Sequence, residues 1–407
     1  METERKTLHQ RLLGREIRRP NYLIYQILVR VVVKRFIARN IDLHITRNID
    51  VKEIEGPFIV VCNHASRLDY IYASLALLPR PLNYVVGYNE FFRSHLRFIF
   101  RLMQCIPKKN FVRDVFAVRA MKKVLDDKGA IALFPEGMSS ISGTNQPSAL
   151  GSGKLLRYFG VPVVRVMIRG GYFVSTKYNL DERGGKVEVE LDLLFTPEDL
   201  CSMTDEEAQL RLDEAIRHDE YEWNKERGHY YDGKGQMAKN LHTLLFRCPK
   251  CGAEFEMRSD GSLIECNACG NAAHLDESYG LTPAHGQAVI PANPRVWYDE
   301  QRRVIREWVK DENFELREKV KIGVLPEYEY LKDQKTSEIA GEGELWLCAD
   351  GLHFEGQREG KPFSFFIQSK SLPTYGMCTD VSRFYTFVDG EFIEFYPERE
   401  TTAKWFL

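Results

Sequence analysis

The chain has 407 residues, 44% hydrophobic and 28% charged, a globular balance that excludes a disordered or collagen-like polymer. A net charge of −2 excludes bulk electrostatic binding to nucleic acid, and the length predicts two or three domains. Four of the nine cysteines form two tight pairs and the rest stand alone, which fits a reducing, cytosolic setting better than a disulfide framework.

The first fifty residues hold eleven basic against five acidic side chains. From Tyr22 to Ala38 the chain is apolar but interrupted by Arg30, Lys34 and Arg35. Arg30 and Lys34 are four apart and share one helical face. Two readings are open. The helix can lie in a membrane interface, its basic heads on anionic lipid, or it can pack on the body of the protein. No basic segment leads into an apolar run with a small-residue cleavage site, so a secretory leader is not expected. A transmembrane helix is not expected either, because no stretch of about 18 residues is free of charge.

From about residue 51 short apolar runs alternate with helical stretches. Pro57-Phe-Ile-Val-Val-Cys62, Ala130-Ile-Ala-Leu-Phe134 and Val161-Pro-Val-Val-Arg-Val-Met-Ile168 read as buried strands. Residues 171–175 and 187–194 are further strand candidates. Ser66 to Leu78 and Val115 to Asp126 read as helices, and the alternation indicates an α/β layer structure. Thr204-Asp-Glu-Glu207 is a capping box that opens a polar helix to about Arg227. Residues 281–294, with three prolines and one glycine, read as a linker. After about 295 the pattern is β-rich: aromatic runs near 344–348, 352–354, 363–368, 384–388 and 391–396, with turn signals such as Asp389-Gly390.

Asn63-His64-Ala65-Ser66-Arg67-Leu68-Asp69 follows the first of those strands. A histidine at a strand's end meets a pocket rather than the sheet interior. Asp69, at the start of a helix, can return to the ring, fix its tautomer and stabilise the imidazolium formed when the other nitrogen takes a proton. Phe134-Pro135-Glu136-Gly137 follows the second strand and presents its carboxylate at the edge where α/β crevices lie. Gly151-Ser-Gly-Lys154 is not a P-loop, since Ser148 and Leu155 break the pattern, and no Gly-x-Ser-x-Gly elbow supports a serine hydrolase.

The two motifs, about seventy residues apart and each behind a strand, together resemble the glycerolipid acyltransferases, whose best-known members are the 1-acylglycerol-3-phosphate O-acyltransferases. The resemblance spans roughly residues 20–240. It implies a mixed sheet flanked by helices and transfer of a fatty acyl group from acyl-CoA or acyl carrier protein to a lysolipid hydroxyl, with no organic cofactor. His64 would be the general base and Asp69 its orienting partner. Asn63, Ser66, Glu136 and Gly137 would bind substrate, and Lys154 with Val161-Pro162-Val163 match later family elements. Lys108, Lys109 and Arg113 lie where the family has its acceptor-phosphate motif, and the alignment is open between Arg113 and the two lysines. Two departures bear on the acceptor. Met138 and Ser139 follow Gly137 where many members continue Thr-Arg-Ser, and Phe111-Val112-Arg113 is one residue short of Phe-x-x-Arg. Lysophosphatidate is the default acceptor; another lysolipid or a glycolipid hydroxyl is open, as is a non-catalytic lipid-binding scaffold.

Cys248-Pro-Lys-Cys251-Gly and Cys266-Asn-Ala-Cys269-Gly are matched knuckles separated by fourteen residues. Four thiolates can close a tetrahedral structural zinc site with no open position, and the segment resembles a zinc ribbon. Its basic residues are matched by acidic ones, so no nucleic-acid partner is expected. The C-terminal hundred residues resemble a pleckstrin-homology or GRAM-like β domain, on the cue Gly343-Glu-Leu-Trp-Leu-Cys-Ala-Asp-Gly351. The expected organisation is a basic amphipathic helical region over 1–50, an acyltransferase domain over 51–240, a zinc ribbon over 245–276 and a β-rich domain over 295–407. The expected location is the cytoplasmic face of a membrane, peripherally bound.

Overall fold

The computed structural model describes residues 5–37, 40–332, 335–372 and 374–407, the side chains at 36 and 37 excepted. Ala38, the predicted end of the N-terminal helix, lies outside the described residues.

The α/β part is a seven-stranded mixed sheet. Its strands are β1 (Ile41–Arg47), β2 (Phe58–Cys62), β3 (Leu82–Gly87), β4 (Ile106–Lys108), β5 (Ala130–Leu133), β6 (Val163–Arg169) and β7 (Gly185–Phe195), in the order β1-β7-β6-β2-β5-β3-β4. Every neighbouring pair is parallel except β6 and β7. Both faces of β2 are covered, which explains its unbroken apolar sequence. Phe58, Val60 and Cys62 enter one buried cluster. Ile59 and Val61 enter another, beneath Ala117, Met121 and Leu156 of the flanking helices Val115–Asp126 and Ser152–Phe159.

Residues 1–50 are not wholly helical: Ile41–Arg47 pairs with β7 as an edge strand of the sheet. The helix Tyr22–Ile27 continues over Leu28–Ile37 with wider, π-type bonding. It buries Tyr25, Val29 and Val33 against the body and leaves Leu23 and Ile27 exposed. No helix among the described residues is long and apolar enough to cross a membrane.

Four further readings are corrected. Gly171–Val174 is a helical turn, not a strand; the N–H groups of Gly170 and Tyr172 bond the Glu220 carboxylate instead of a ladder. The polar helix stops at Ala215 and a second helix, Glu220–Arg227, starts behind an Asp219 cap. Leu281–Pro283, read as linker, is strand β11 of a small antiparallel sheet with β8 (Met257–Asp260), β9 (Leu263–Cys266) and β10 (Ala272–Leu275). The chain after 295 opens with the helix Pro294–Trp308, capped by Asn293 with Pro294 at its first turn.

β structure resumes at Glu315. Strands β12 (Glu315–Val324), β13 (Glu338–Cys348), β14 (Gly351–Arg358), β15 (Lys361–Gln368), β16 (Gly376–Met377), β17 (Phe384–Val388) and β18 (Glu391–Pro397) form an antiparallel sheet ordered β15-β14-β13-β12-β18-β17-β16. Ile322, Leu345, Phe354, Phe384, Phe395 and Trp405 fill its inner face. The β17–β18 hairpin turns on Asp389 and Gly390, both at positive φ, as the Asp-Gly pair predicts. The small sheet and parts of the C-terminal domain share one buried cluster with the mixed sheet.

Candidate active site

Asn63 ends β2 by clamping it to β6. Its amide donates to the Ile168 carbonyl at 2.8 Å and accepts from the Ile168 N–H at 2.7 Å. His64 therefore emerges at the carboxyl ends of parallel strands, where open α/β sheets form crevices. The next residues fold a carboxylate back onto its ring. Asp69 Oδ2 lies 2.8 Å from His64 Nδ1 and Oδ1 lies 3.1 Å from the Ser66 hydroxyl, while the Ser66 N–H reaches both oxygens. Asp69 is fully buried and the His64 side chain keeps 21% exposure. Burial raises the Asp69 carboxyl, and the hydrogen bonds from His64 and Ser66 oppose that rise. With Nδ1 directed at the carboxylate, Nε2 is the nitrogen left to receive a proton. The Phe134 ring packs on the imidazole at a centroid distance of 4.5 Å.

Glu136 supports the same residue through its backbone. One oxygen accepts the His64 N–H and the other the Gln146 N–H, each at 2.6 Å. Burial pushes this carboxyl up to about 8, against the pull of those two donors. Asn63, Ser66 and Glu136, predicted on the substrate side, thus use their polar atoms within the protein. A small cavity beside His64 is bounded by Asn63, Glu136 and Thr144 and by His218 with Glu220. His218 Nε2 lies 3.2 Å from Glu220 Oε2. Sequence reasoning missed this second pair, since nothing local marks a lone His and Glu at the start of a polar helix.

The basic stretch divides. Lys108 bonds the Lys109 carbonyl at 3.3 Å, and burial lowers its ammonium. Lys109 bonds the Gly390 carbonyl at 2.5 Å, between the rings of Tyr88 and Phe387. Arg113 is exposed and forms no ion pair among the described residues. Two neighbours that the sequence did not single out meet the Phe134–Gly137 turn. Asn110 donates to the Gly137 carbonyl at 2.9 Å, and Phe111, at φ +61, lays its ring where a Gly137 side chain would stand. Gly137, at φ +75, has neither the room nor the backbone geometry for a larger residue. Lys154 is exposed on the helix Ser152–Phe159.

The four predicted metal-ligating cysteines converge. All four sulfurs lie within 4.8 Å of one another, with Cys248 to Cys269 at 3.7 Å and Cys251 to Cys266 at 3.8 Å. The two knuckles match in detail. Gly252 N–H bonds the Cys248 carbonyl and Gly270 N–H bonds the Cys266 carbonyl, both glycines at positive φ. The small sheet docks on the site's support: the Tyr279 hydroxyl donates to the Phe173 carbonyl at 2.7 Å, two residues beyond Gly171, whose backbone abuts Ala65 and Asp69.

No curated protein matches this chain. Among solved structures, the 1-acyl-sn-glycerophosphate (LPA) acyltransferase PlsC from Thermotoga maritima aligns at 21% identity and a TM-score of 0.40, over 47% of this chain and 78% of that one. The family model described as Acyltransferase matches residues 40–169. That segment holds β1 to β6, the His64–Asp69 pair and the Phe134–Gly137 turn, and is an acyltransferase-family domain.

Proposed function

We propose that the protein is an O-acyltransferase that moves a fatty acyl group from acyl-CoA or acyl carrier protein to a lysolipid hydroxyl, by default that of 1-acylglycerol-3-phosphate. The observation that carries the proposal is the 2.8 Å contact between the partly exposed His64 and the buried Asp69, within a segment that matches the acyltransferase family. In this mechanism His64 Nε2 takes the acceptor's hydroxyl proton while the oxygen attacks the thioester carbonyl. The tetrahedral intermediate collapses with loss of the thiolate, which recovers the proton from the imidazolium. Asp69 stabilises that imidazolium, and a base so placed is worth about 10² to 10⁴ in rate.

A structural zinc on Cys248, Cys251, Cys266 and Cys269 belongs to the same proposal. A Zn–S bond of about 2.3 Å puts tetrahedral sulfurs about 3.8 Å apart, which the two sulfur distances of 3.7 and 3.8 Å match. Docking on the cytoplasmic face of a membrane, where acceptor and product reside, is supported by the outward apolar residues of the N-terminal helix beside Arg30 and Lys34.

One observation favours an acceptor other than lysophosphatidate. Lys109 is engaged by Gly390, Lys108 by the Lys109 carbonyl, and Met138-Ser139 supplies no arginine after the Phe134–Gly137 turn, so Arg113 is left to meet a phosphate. The test is acyl transfer on liposomes, with labelled acyl-CoA and acyl carrier protein offered against a panel of lysolipids and glycolipids. Transfer that disappears in a folded His64→Ala variant supports the proposal. A folded, membrane-bound wild-type protein that acylates no acceptor would instead favour a lipid-binding scaffold.

A further inference from the structure

The loop from Lys108 to Asp114 is fixed from two sides. On one side it meets the Phe134–Gly137 turn, through Asn110 to the Gly137 carbonyl and Phe111 against Gly137. On the other it meets the C-terminal domain. Lys109 Nζ donates to the Gly390 carbonyl in the β17–β18 turn and lies 5.6 Å from the centre of the Phe387 ring. Inside the loop, Asp114 accepts the Lys109 N–H at 2.8 Å and caps the helix Val115–Asp126.

The two domains are joined elsewhere around the same edge. The buried Lys177 donates to the Cys378 carbonyl at 3.0 Å. Leu331 bonds Phe92 and Ser94 through its backbone, at 2.8 and 2.9 Å. Phe387 and Gly390 are thus held in place relative to the mixed sheet by contacts independent of Lys109.

We propose that the C-terminal β domain completes the acceptor side of the active site by latching the basic loop, with Lys109 a positioning residue held by Phe387 and Gly390 rather than a ligand of the acceptor. The inference rests on the acyltransferase reading. It assigns the C-terminal domain a part in acceptor recognition, and it leaves the acceptor's charge to the exposed Arg113. An ammonium that donates to a turn carbonyl and lies between two aromatic rings is held where it stands. Moving it to a phosphate would release the loop it anchors.

The test is a double-mutant cycle in the full-length chain, with Lys109→Met, Phe387→Ala and the double variant. Acceptor KM, donor KM and kcat are measured on liposomes, and backbone hydrogen exchange is followed over residues 108–114. Each single variant should raise acceptor KM on the order of 3- to 10-fold, leave donor KM unchanged and speed exchange in the loop. The double variant should be no worse than Lys109→Met alone, since both changes break one latch. Effects that multiply would mean that Lys109 meets the acceptor independently of Phe387, and would overturn the proposal. So would a Phe387→Ala protein with unaltered acceptor KM, whether or not the loop exchanges faster. A wild-type protein that acylates no acceptor fails the acyltransferase reading itself and takes the latch with it, a result seen before any substitution is made.

Discussion

Glu136 accepts the backbone N–H of His64 at 2.6 Å, so the carboxylate of the second motif sets the backbone of the first from seventy-two residues away. Its other oxygen holds Gln146 in the same way. Glutamine at this position keeps one acceptor and turns an NH₂ group toward the second N–H. Above about pH 8, where the burial-raised carboxyl is ionised, Glu136→Gln should therefore cost about 1–3 kcal/mol of stability and lower kcat together with it. Urea unfolding and steady-state kinetics check this. An equally stable variant with only a raised acceptor KM would show that Glu136 touches the acceptor instead of supporting His64.

Asp69 offers no substitute for its charge. Both oxygens are taken by Ser66 and His64 in a fully buried setting. In Asp69→Asn an amide NH₂ must face either the imidazole or the Ser66 N–H, so the ring turns or takes the wrong tautomer. The expected loss in kcat is on the order of 10⁴, with little change in KM, as when the carboxylate of a Ser-His-Asp triad is neutralised. His64→Ala should abolish transfer. Unchanged circular dichroism in both variants would establish that the loss is chemical, and normal turnover in a folded His64→Ala protein would end the general-base mechanism.

The parts of this site that were legible in the sequence are those written in short range. The strands β2, β5 and β6 announce themselves as apolar runs because both of their faces are covered. The His64–Asp69 pair spans five residues and each cysteine knuckle four. β1 was missed because Ile41–Arg47 lies at the sheet's edge and alternates with polar residues inside a basic segment. The helix Pro294–Trp308 was lost in a region read as β-rich, although Asn293-Pro294 carries the cap and first-turn signal that would have found it. The partners of Lys109 and Asn63 were out of reach for a different reason. Gly390 and Ile168 lie 281 and 105 residues further on, and only the fold brings them near.

The cysteine cluster should hold one zinc per chain, and its loss should be felt beyond the ribbon. Tyr279 ties the small sheet to Phe173, close behind Asp69, and Gln301 of the helix Pro294–Trp308 bonds Arg247 and Leu244 on the other side. Metal binding drives the folding of so small a module. Elemental analysis should find the metal in the wild type and not in Cys248→Ser. The variant should also melt lower, and a chelator should reproduce that shift. Metal-free wild-type protein with the same melting temperature as the zinc-loaded form would remove the structural role.

Membrane binding can be tested without cutting the chain. Deleting the N-terminal helix would also remove Tyr25, Val29 and Val33 from the core, so a truncated protein would confuse unfolding with release. Leu23 and Ile27 are 68% and 63% exposed on the outward face. Leu23→Ser with Ile27→Ser removes apolar area from that face and leaves the packed side intact. Sedimentation with anionic liposomes should weaken several-fold, since full burial of each such side chain is worth about 1.5–3 kcal/mol, while the melting temperature stays put. Undiminished sedimentation would assign membrane contact to another surface.

Lys177 gives a pH dependence with a definite sign. Burial lowers its ammonium to about 8 from an ordinary 10.5, although its charge is partly met by the Cys378 carbonyl. Between those values the unfolded chain binds more protons at this position than the folded one, so the lysine's contribution to stability rises as pH climbs from about 8 to 10.5. Burial raises tyrosines such as Tyr25 and Tyr298 above that window in the fold, whereas in the unfolded chain they titrate at its upper end, so the quantity to follow is the difference between wild type and Lys177→Met. That difference should shift in favour of the wild type by up to about 3 kcal/mol across the window, and should be flat below it. Urea titrations at closely spaced pH values decide the matter. A difference that does not change with pH would mean that Lys177 carries its charge in the fold as readily as in water, and that the joint between the two domains does not bury it.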